Sequence, residues 1–116
     1  MRDLEAAIAK GDERARLAVE MYLHAIVSSA GALYAVLGGL DALVFTGGIG
    51  ENCAMVRARV CQALAHLGVE FDESKNGPGE NERRISRDGS PVQAWVVPAN
   101  EELNVARRAC ALLRKG

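Results

Sequence analysis

The 116-residue sequence predicts an α/β fold in which a short, mostly parallel sheet packs between helices. Three observations carry that expectation. Stretches with apolar residues at helical spacing alternate with short apolar runs. The changes of pattern fall at glycine or proline. One run, DALVFTGGIGEN at residues 41 to 52, passes from four apolar residues into three glycines within four positions. That is the pattern of a buried strand ending in a tight turn before a helix.

The elements follow in order. Asp12 is placed to cap a helix that runs through DERARLAVEMYLHAIV to about Leu37. Its apolar positions Leu17, Met21, Ile26, Leu33 and Leu37 sit among enough other apolar residues to predict burial on most faces. Gly38 and Gly39 supply the stop, because glycine readily takes the left-handed conformation at a helix end. DALVFT is a short buried strand. NCAMVRARVCQALAHLG repeats apolar residues at Ala54, Val60, Leu64 and Leu67, and Gly68 terminates it. VEF at 69 to 71 fits a second short strand.

From Asp72 to Pro91 the chain turns polar, with glycines at 77, 79 and 89 and two of its three prolines. It reads as a long loop that contains a short strand near Arg84 to Ser86. QAWVV is a strand that Pro98 ends. Asn100 is a good N-cap, and EELNVARRACALLRK is an amphipathic closing helix. The length suits one domain, residues 1–116, and is short for two.

Composition narrows the function. Apolar residues make up 49% and charged residues 25%, the balance of a globular domain rather than a disordered segment. The net charge of −1 offers no basic excess to neutralise a phosphate backbone, so no nucleic-acid partner is expected. Cys53, Cys61 and Cys110 are odd in number and lack CxxC or CxxH spacing. They indicate neither a disulfide framework nor a zinc site, and reduced thiols suit a cytoplasmic protein.

Residues 25 to 40, AIVSSAGALYAVLGGL, carry no charge over sixteen positions. That is short of the ~20 residues that cross a bilayer, so a helix buried in a soluble fold is expected and no membrane partner. The N-terminus MRDLEAAIAKGDERAR has no apolar signal core.

Gly47, Gly48 and Gly50 lie at the carboxyl end of the strand, where open α/β sheets place their ligands. Bare backbone can turn sharply and let a flat or anionic group lie against its amides. The helix that follows adds free N–H groups and a positive dipole end. One glycine would satisfy a plain turn; three favour a ligand. Pattern alone leaves a dinucleotide (NAD) site open. Gly48-Ile49-Gly50 is the first half of GxGxxG, and Glu70 or Asp72 stands roughly ~20 residues on, where a ribose contact belongs. Cys53 occupies the third glycine position.

These residues carry a family resemblance. DALVFTGGIGEN, continued by CAMVRARVCQALAHLGVEFD, resembles the nucleotide-binding signature of acetate kinase and its propionate and butyrate kinase relatives. The likeness extends through KN at 75 and 76, RRIS at 83 to 86 and VVPANEELNVAR at 96 to 107. It also reaches back to MRDLEAAIAKGDERARLAVEMYLHAI, so it spans essentially the whole chain.

The resemblance implies an actin-like ATPase architecture, with this chain as part of a ribonuclease-H-like domain at the enzyme's C-terminal end. The family's phosphate-binding loop, catalytic arginines and histidine would precede residue 1. The chain alone is then expected to hold nucleotide without reacting it.

By the same resemblance Gly48, Ile49 and Asn52 match positions that touch adenosine and nearby phosphate. Asn52 also suits a helix N-cap. Arg2 matches the arginine of an Asp-x-Arg segment beside the nucleotide, with Met1 in the x position. Glu101 matches the acidic residue used near Mg²⁺, although a carboxylate in a helix's first turn also offsets the dipole. The cofactors implied are ATP or ADP and Mg²⁺, and the substrate of an intact enzyme is acetate or another short-chain carboxylate. A homo-oligomer, or pairing with a missing N-terminal half, is expected, because apolar surface left uncovered drives association.

Other residues are read more plainly. Arg57 and Arg59 are expected to be solvated on their helix, His24 to be a core histidine, and His66 to suit a helix end. Arg83, Arg84 and Arg87 are offset locally by Glu80, Glu82 and Asp88. Cys53 stands where the resembled family usually has Ser.

Overall fold

The computed structural model describes residues 1–79 and 81–99. The sequence reading places no separate helix before Asp12, yet one is present: α1 (Arg2–Ala9). Leu4 and Ile8, four residues apart, put apolar side chains on one helix face, and both pack against the core with Met1.

The Asp12 carboxylate then caps α2 (Glu13–Leu37), accepting the backbone N–H groups of Arg14 at 2.9 Å and Ala15 at 3.2 Å. Such a cap is worth about 1 kcal/mol. Gly38, with φ +76°, ends the helix in the left-handed conformation, as expected.

The expected burial of α2 on most faces is corrected. Its buried residues are Ala15, Val19, Leu23 and Ala30. Leu17, Met21, Leu33, Val36 and Leu37 are exposed, Val36 by 82%. His24 is exposed too and is no core histidine. The physical reason is that α2 packs on α1 and α4 (Ala54–Ala63), which lie against one side of it. By length and composition α2 is apolar enough to cross a membrane, and 11% of its eighteen-residue apolar window is buried.

Among the described residues the sheet has three strands in the order β1-β3-β2: β1 (Ala42–Phe45), β2 (Arg83–Arg84) and β3 (Gln93–Val96). β1 pairs with β3 in parallel, Ala42 opposite Gln93 through Phe45 opposite Val96. β2 pairs with β3 antiparallel, Arg83 opposite Val96. The sheet is therefore mixed rather than mostly parallel, because the polar stretch folds back on β3 as its edge strand. VEF forms isolated bridges instead of a strand, Val69 to Val92 and Phe71 to Ser86. In β1 only Phe45 is buried and Val44 is 45% exposed, so the expected buried strand is half covered.

The core gathers Val19, Leu23 and Ala30 of α2 with Phe45 and Val56, Val60, Cys61 and Leu64. Ile85, Val92, Ala94 and Val96 close it from the sheet side. Along β3 burial alternates, Ala94 and Val96 inward, the period of two that a one-sided strand requires. Pro98 follows the strand, as expected. Asn100, Glu101 and the closing helix expected after Pro98 lie outside the described residues.

Candidate functional site

β1 delivers the chain to Thr46 in an extended conformation, φ −147° and ψ 170°. Gly47 then turns it with φ +78° into α3 (Gly47–Asn52), a six-residue helix. The three glycines have separate physical accounts. Gly47 needs glycine for its backbone angle. Gly50 needs it for space, because a Cβ would sit 3.2 Å from the carbonyl carbon of Phe45. Gly48 needs it for neither. It has no left-handed φ, no atom lies within 4 Å of the position its Cβ would take, and it faces solvent.

The helix expected to run unbroken from Asn52 is interrupted. Cys53, buried and extended at φ −114°, separates α3 from α4. The helical path then passes from α4 into a single 3-10 turn, Ala65–Leu67, that ends at Gly68 with φ +110°. Asn52 is therefore the last residue of α3 and no N-cap. Its Nδ2 donates back to the Gly48 carbonyl at 2.9 Å. Ile49 is partly buried against the core.

Gly47, Gly48, Ile49, Gly50 and Asn52 thus stand together on one short element. Arg2 is exposed on α1. That helix reaches the turn region where Cys53 Sγ donates to Glu5 Oε1 at 3.6 Å. Glu101 lies outside the described residues.

Arg57 corrects another expectation. Instead of being solvated it is 1% exposed, and its guanidinium lies beneath the turn. Nη1 donates to the carbonyls of Gly50 at 3.0 Å and Glu51 at 2.8 Å. Nε donates to Asn76 Oδ1 at 2.8 Å and Nη2 to the Asn76 carbonyl at 3.0 Å. Asn76 Nδ2 in turn donates to the Ala54 carbonyl at 2.8 Å. Burial, assisted by the Arg83 charge, pulls the Arg57 pKa below its ordinary value. The signal was in the spacing: Arg57 shares a helix face with Val60, Cys61 and Leu64, all buried.

Arg59, by contrast, is solvated as expected and pairs with Glu20 at 2.8 Å. Arg84 pairs with Asp88, one of its expected offsetting acids. Arg83 donates to the Gly77 carbonyl at 2.6 Å and the Gly79 carbonyl at 3.2 Å. The long loop expected here is therefore tied to its own backbone.

A cavity of about 260 Å³ lies between α1, α2 and α4, lined by Glu5, Arg16, Glu20, Met55 and Arg59 among others. The turn residues do not line it. Among the described residues no three His, Cys, Asp or Glu side chains gather into a metal site.

Fold and turn define an α/β chain with a glycine elbow after its first strand, one glycine of which the fold itself does not require. The acetokinase family model matches residues 1–107. The acetate kinase of Desulforamulus reducens is 51% identical over 112 residues, which are 97% of this chain and 28% of that protein. The acetate kinase of Bacteroides fragilis is 50% identical over 115 residues, 99% of this chain and 29% of that protein.

Among solved structures, Porphyromonas gingivalis acetate kinase superposes with a TM-score of 0.81 at 42% identity, covering 97% of this chain and 28% of that one. A Francisella tularensis propionate kinase gives 0.74 at 39%, covering 88% and 26%. The chain belongs to the acetokinase family. It spans under a third of the length of these relatives.

The dinucleotide alternative is not supported. Buried Cys53 fills its third glycine position, and the Asp72 carboxylate is occupied by Ser74, whose N–H and Oγ donate at 3.1 and 2.6 Å. Those bonds to Ser74 hold the Asp72 pKa below its ordinary value.

Proposed function

We propose that this chain is the C-terminal nucleotide-binding portion of an acetate kinase with an actin-like ATPase architecture. The observation that carries the reading is Gly48, where neither backbone angle nor packing calls for glycine and an approaching ligand would. Adenosine would lie along the turn, with Gly48 giving backbone access, Ile49 covering a ring face, and Gly47, Gly50 and Asn52 shaping the elbow. Arg2 would flank the nucleotide.

In the whole enzyme a carboxylate oxygen of acetate attacks the γ-phosphorus of ATP, the bond to the ADP oxygen breaks, and acetyl phosphate and ADP leave. Catalysis of that kind rests on positioning and on neutralising charge at the equatorial oxygens. Mg²⁺ supplies part of that neutralisation when bound, and Glu101 would hold it together with nucleotide phosphates. The residues of this chain would position the leaving ADP and, through Glu101, the metal; the cationic side chains that neutralise the transferring phosphoryl would come from the rest of the enzyme. On this reading the isolated chain is expected to form no acetyl phosphate.

The exposed apolar face of α2 fits burial against a second copy or against the rest of a longer protein, in the cytoplasm, with no membrane or nucleic-acid partner. Charged Glu13, Arg14, Arg16 and Glu20 over its first turns support a water-facing start to the helix.

Calorimetric titration of the chain with ADP, ATP and NAD, with and without Mg²⁺, tests the reading. Saturable binding of ADP and ATP, weaker for NAD, is expected. Preference for NAD, or no binding, contradicts it.

A further inference from the structure

Four successive carbonyls of α3, those of Gly48, Ile49, Gly50 and Glu51, each have a donor. Asn52 Nδ2 serves Gly48, the Cys53 N–H serves Ile49 at 2.9 Å, and Arg57 Nη1 serves both Gly50 and Glu51. A short helix has too few internal bonds to satisfy these groups itself. Arg57 is also a buried cation that pairs with no carboxylate among the described residues. Its other partners are the side-chain and backbone oxygens of Asn76. Burying a charge among neutral groups is expensive, and an apolar residue on the α4 face would stabilise the core more simply. Two effects at the turn compensate. The planar guanidinium fixes two adjacent carbonyls at one end while Asn76 fixes the fork at the other. It also places a positive charge beneath the turn.

We infer that Arg57, locked by Asn76, is a positioning residue for nucleotide: it clamps the carbonyls of Gly50 and Glu51 so that the elbow keeps its ligand-ready shape and a field that favours phosphate. The inference rests on the nucleotide reading of the turn. It also assigns the polar loop a purpose, since Asn76 belongs to it and Arg83 ties down the backbone at Gly77 and Gly79.

The test uses the full chain with Arg57→Ala, Arg57→Lys and Asn76→Ser, and Arg59→Gln as the exposed control. Two quantities are read: nucleotide-free amide hydrogen exchange across residues 47–52, and ADP affinity by calorimetry. Arg57→Ala should speed exchange there and weaken ADP binding, each about tenfold or more, the size set by lost charge-assisted hydrogen bonds. Guanidinium added at matched ionic strength should restore part of the affinity. Arg57→Lys, which keeps charge but loses the fork, should fall between.

If Arg57→Ala does not fold, Arg57→Lys and Asn76→Ser carry the same comparison. Folded variants with the exchange and ADP affinity of the parent overturn the inference while leaving the nucleotide reading intact. An unmodified chain that binds no ADP removes the reading itself, and the inference with it.

Discussion

The Glu51 carboxylate accepts the backbone N–H of Ala99 at 3.1 Å. That bond joins the element after β1 to the segment after β3, beside the strand-end pair in which the Val97 N–H donates to the Phe45 carbonyl at 2.9 Å. The elbow is thus braced from two sides, by Arg57 beneath and by Glu51 across the strand ends. Glu51→Ala should lower stability by about 1 kcal/mol, the worth of a partly solvated charge-assisted bond. Glu51→Gln, which keeps an acceptor, should lose less. Urea midpoints of the two variants check the order.

The three glycines should separate experimentally. Gly47→Ala should cost about 1–2 kcal/mol for the left-handed angle. Gly50→Ala should cost about 1–3 kcal/mol for the crowding against Phe45. Gly48→Ala should leave the melting temperature unchanged or slightly raised, since alanine suits a helix better, yet weaken ADP binding. Thermal melts and ADP titrations on the three proteins give the comparison. A Gly48→Ala chain that melts early would mean that the fold needs this glycine after all.

Burial pushes the Cys61 thiol up from 9.0 to about 12, with the Arg57 charge opposing. The folded protein therefore holds this proton where the unfolded chain releases it. Stability from the neutral thiol is full below pH ~9 and is lost as pH rises toward about 12. Cys61→Ala should flatten the decline between those limits in pH-dependent denaturation. Native Cys61 should also resist alkylation at pH 8 until the chain unfolds.

The exposed stripe of α2 predicts association. Leu33→Glu with Val36→Glu, both at well-exposed positions, should shift light-scattering mass toward monomer with little change in stability. A parent chain that stays monomeric at high concentration would contradict the proposed burial of that face.

Local chemistry was legible in the sequence wherever one residue decides an outcome. Asp12 caps, Gly38 and Gly68 end helical segments, and Pro98 follows a strand, each for a reason contained in its own side chain. Burial was less legible, because it depends on what lies opposite. The apolar residues of α2 look like core until α1 and α4 are seen to cover one side only. Arg57 looks solvated until the loop carrying Asn76 folds beneath the elbow, a contact nineteen residues away in sequence. The mixed sheet was missed for the same reason: the short edge strand at Arg83–Arg84 takes its direction from the fold-back of a polar loop. At the candidate site, the sequence showed which glycines gather but not that their physical needs differ.

The most direct measurement is amide chemical-shift mapping of the chain as ADP is added. The largest saturable shifts should fall at Gly48, Ile49, Gly50 and Asn52, diminished in Gly48→Ala. Saturable shifts centred elsewhere, or an elbow that does not respond to ADP at all, would contradict the account.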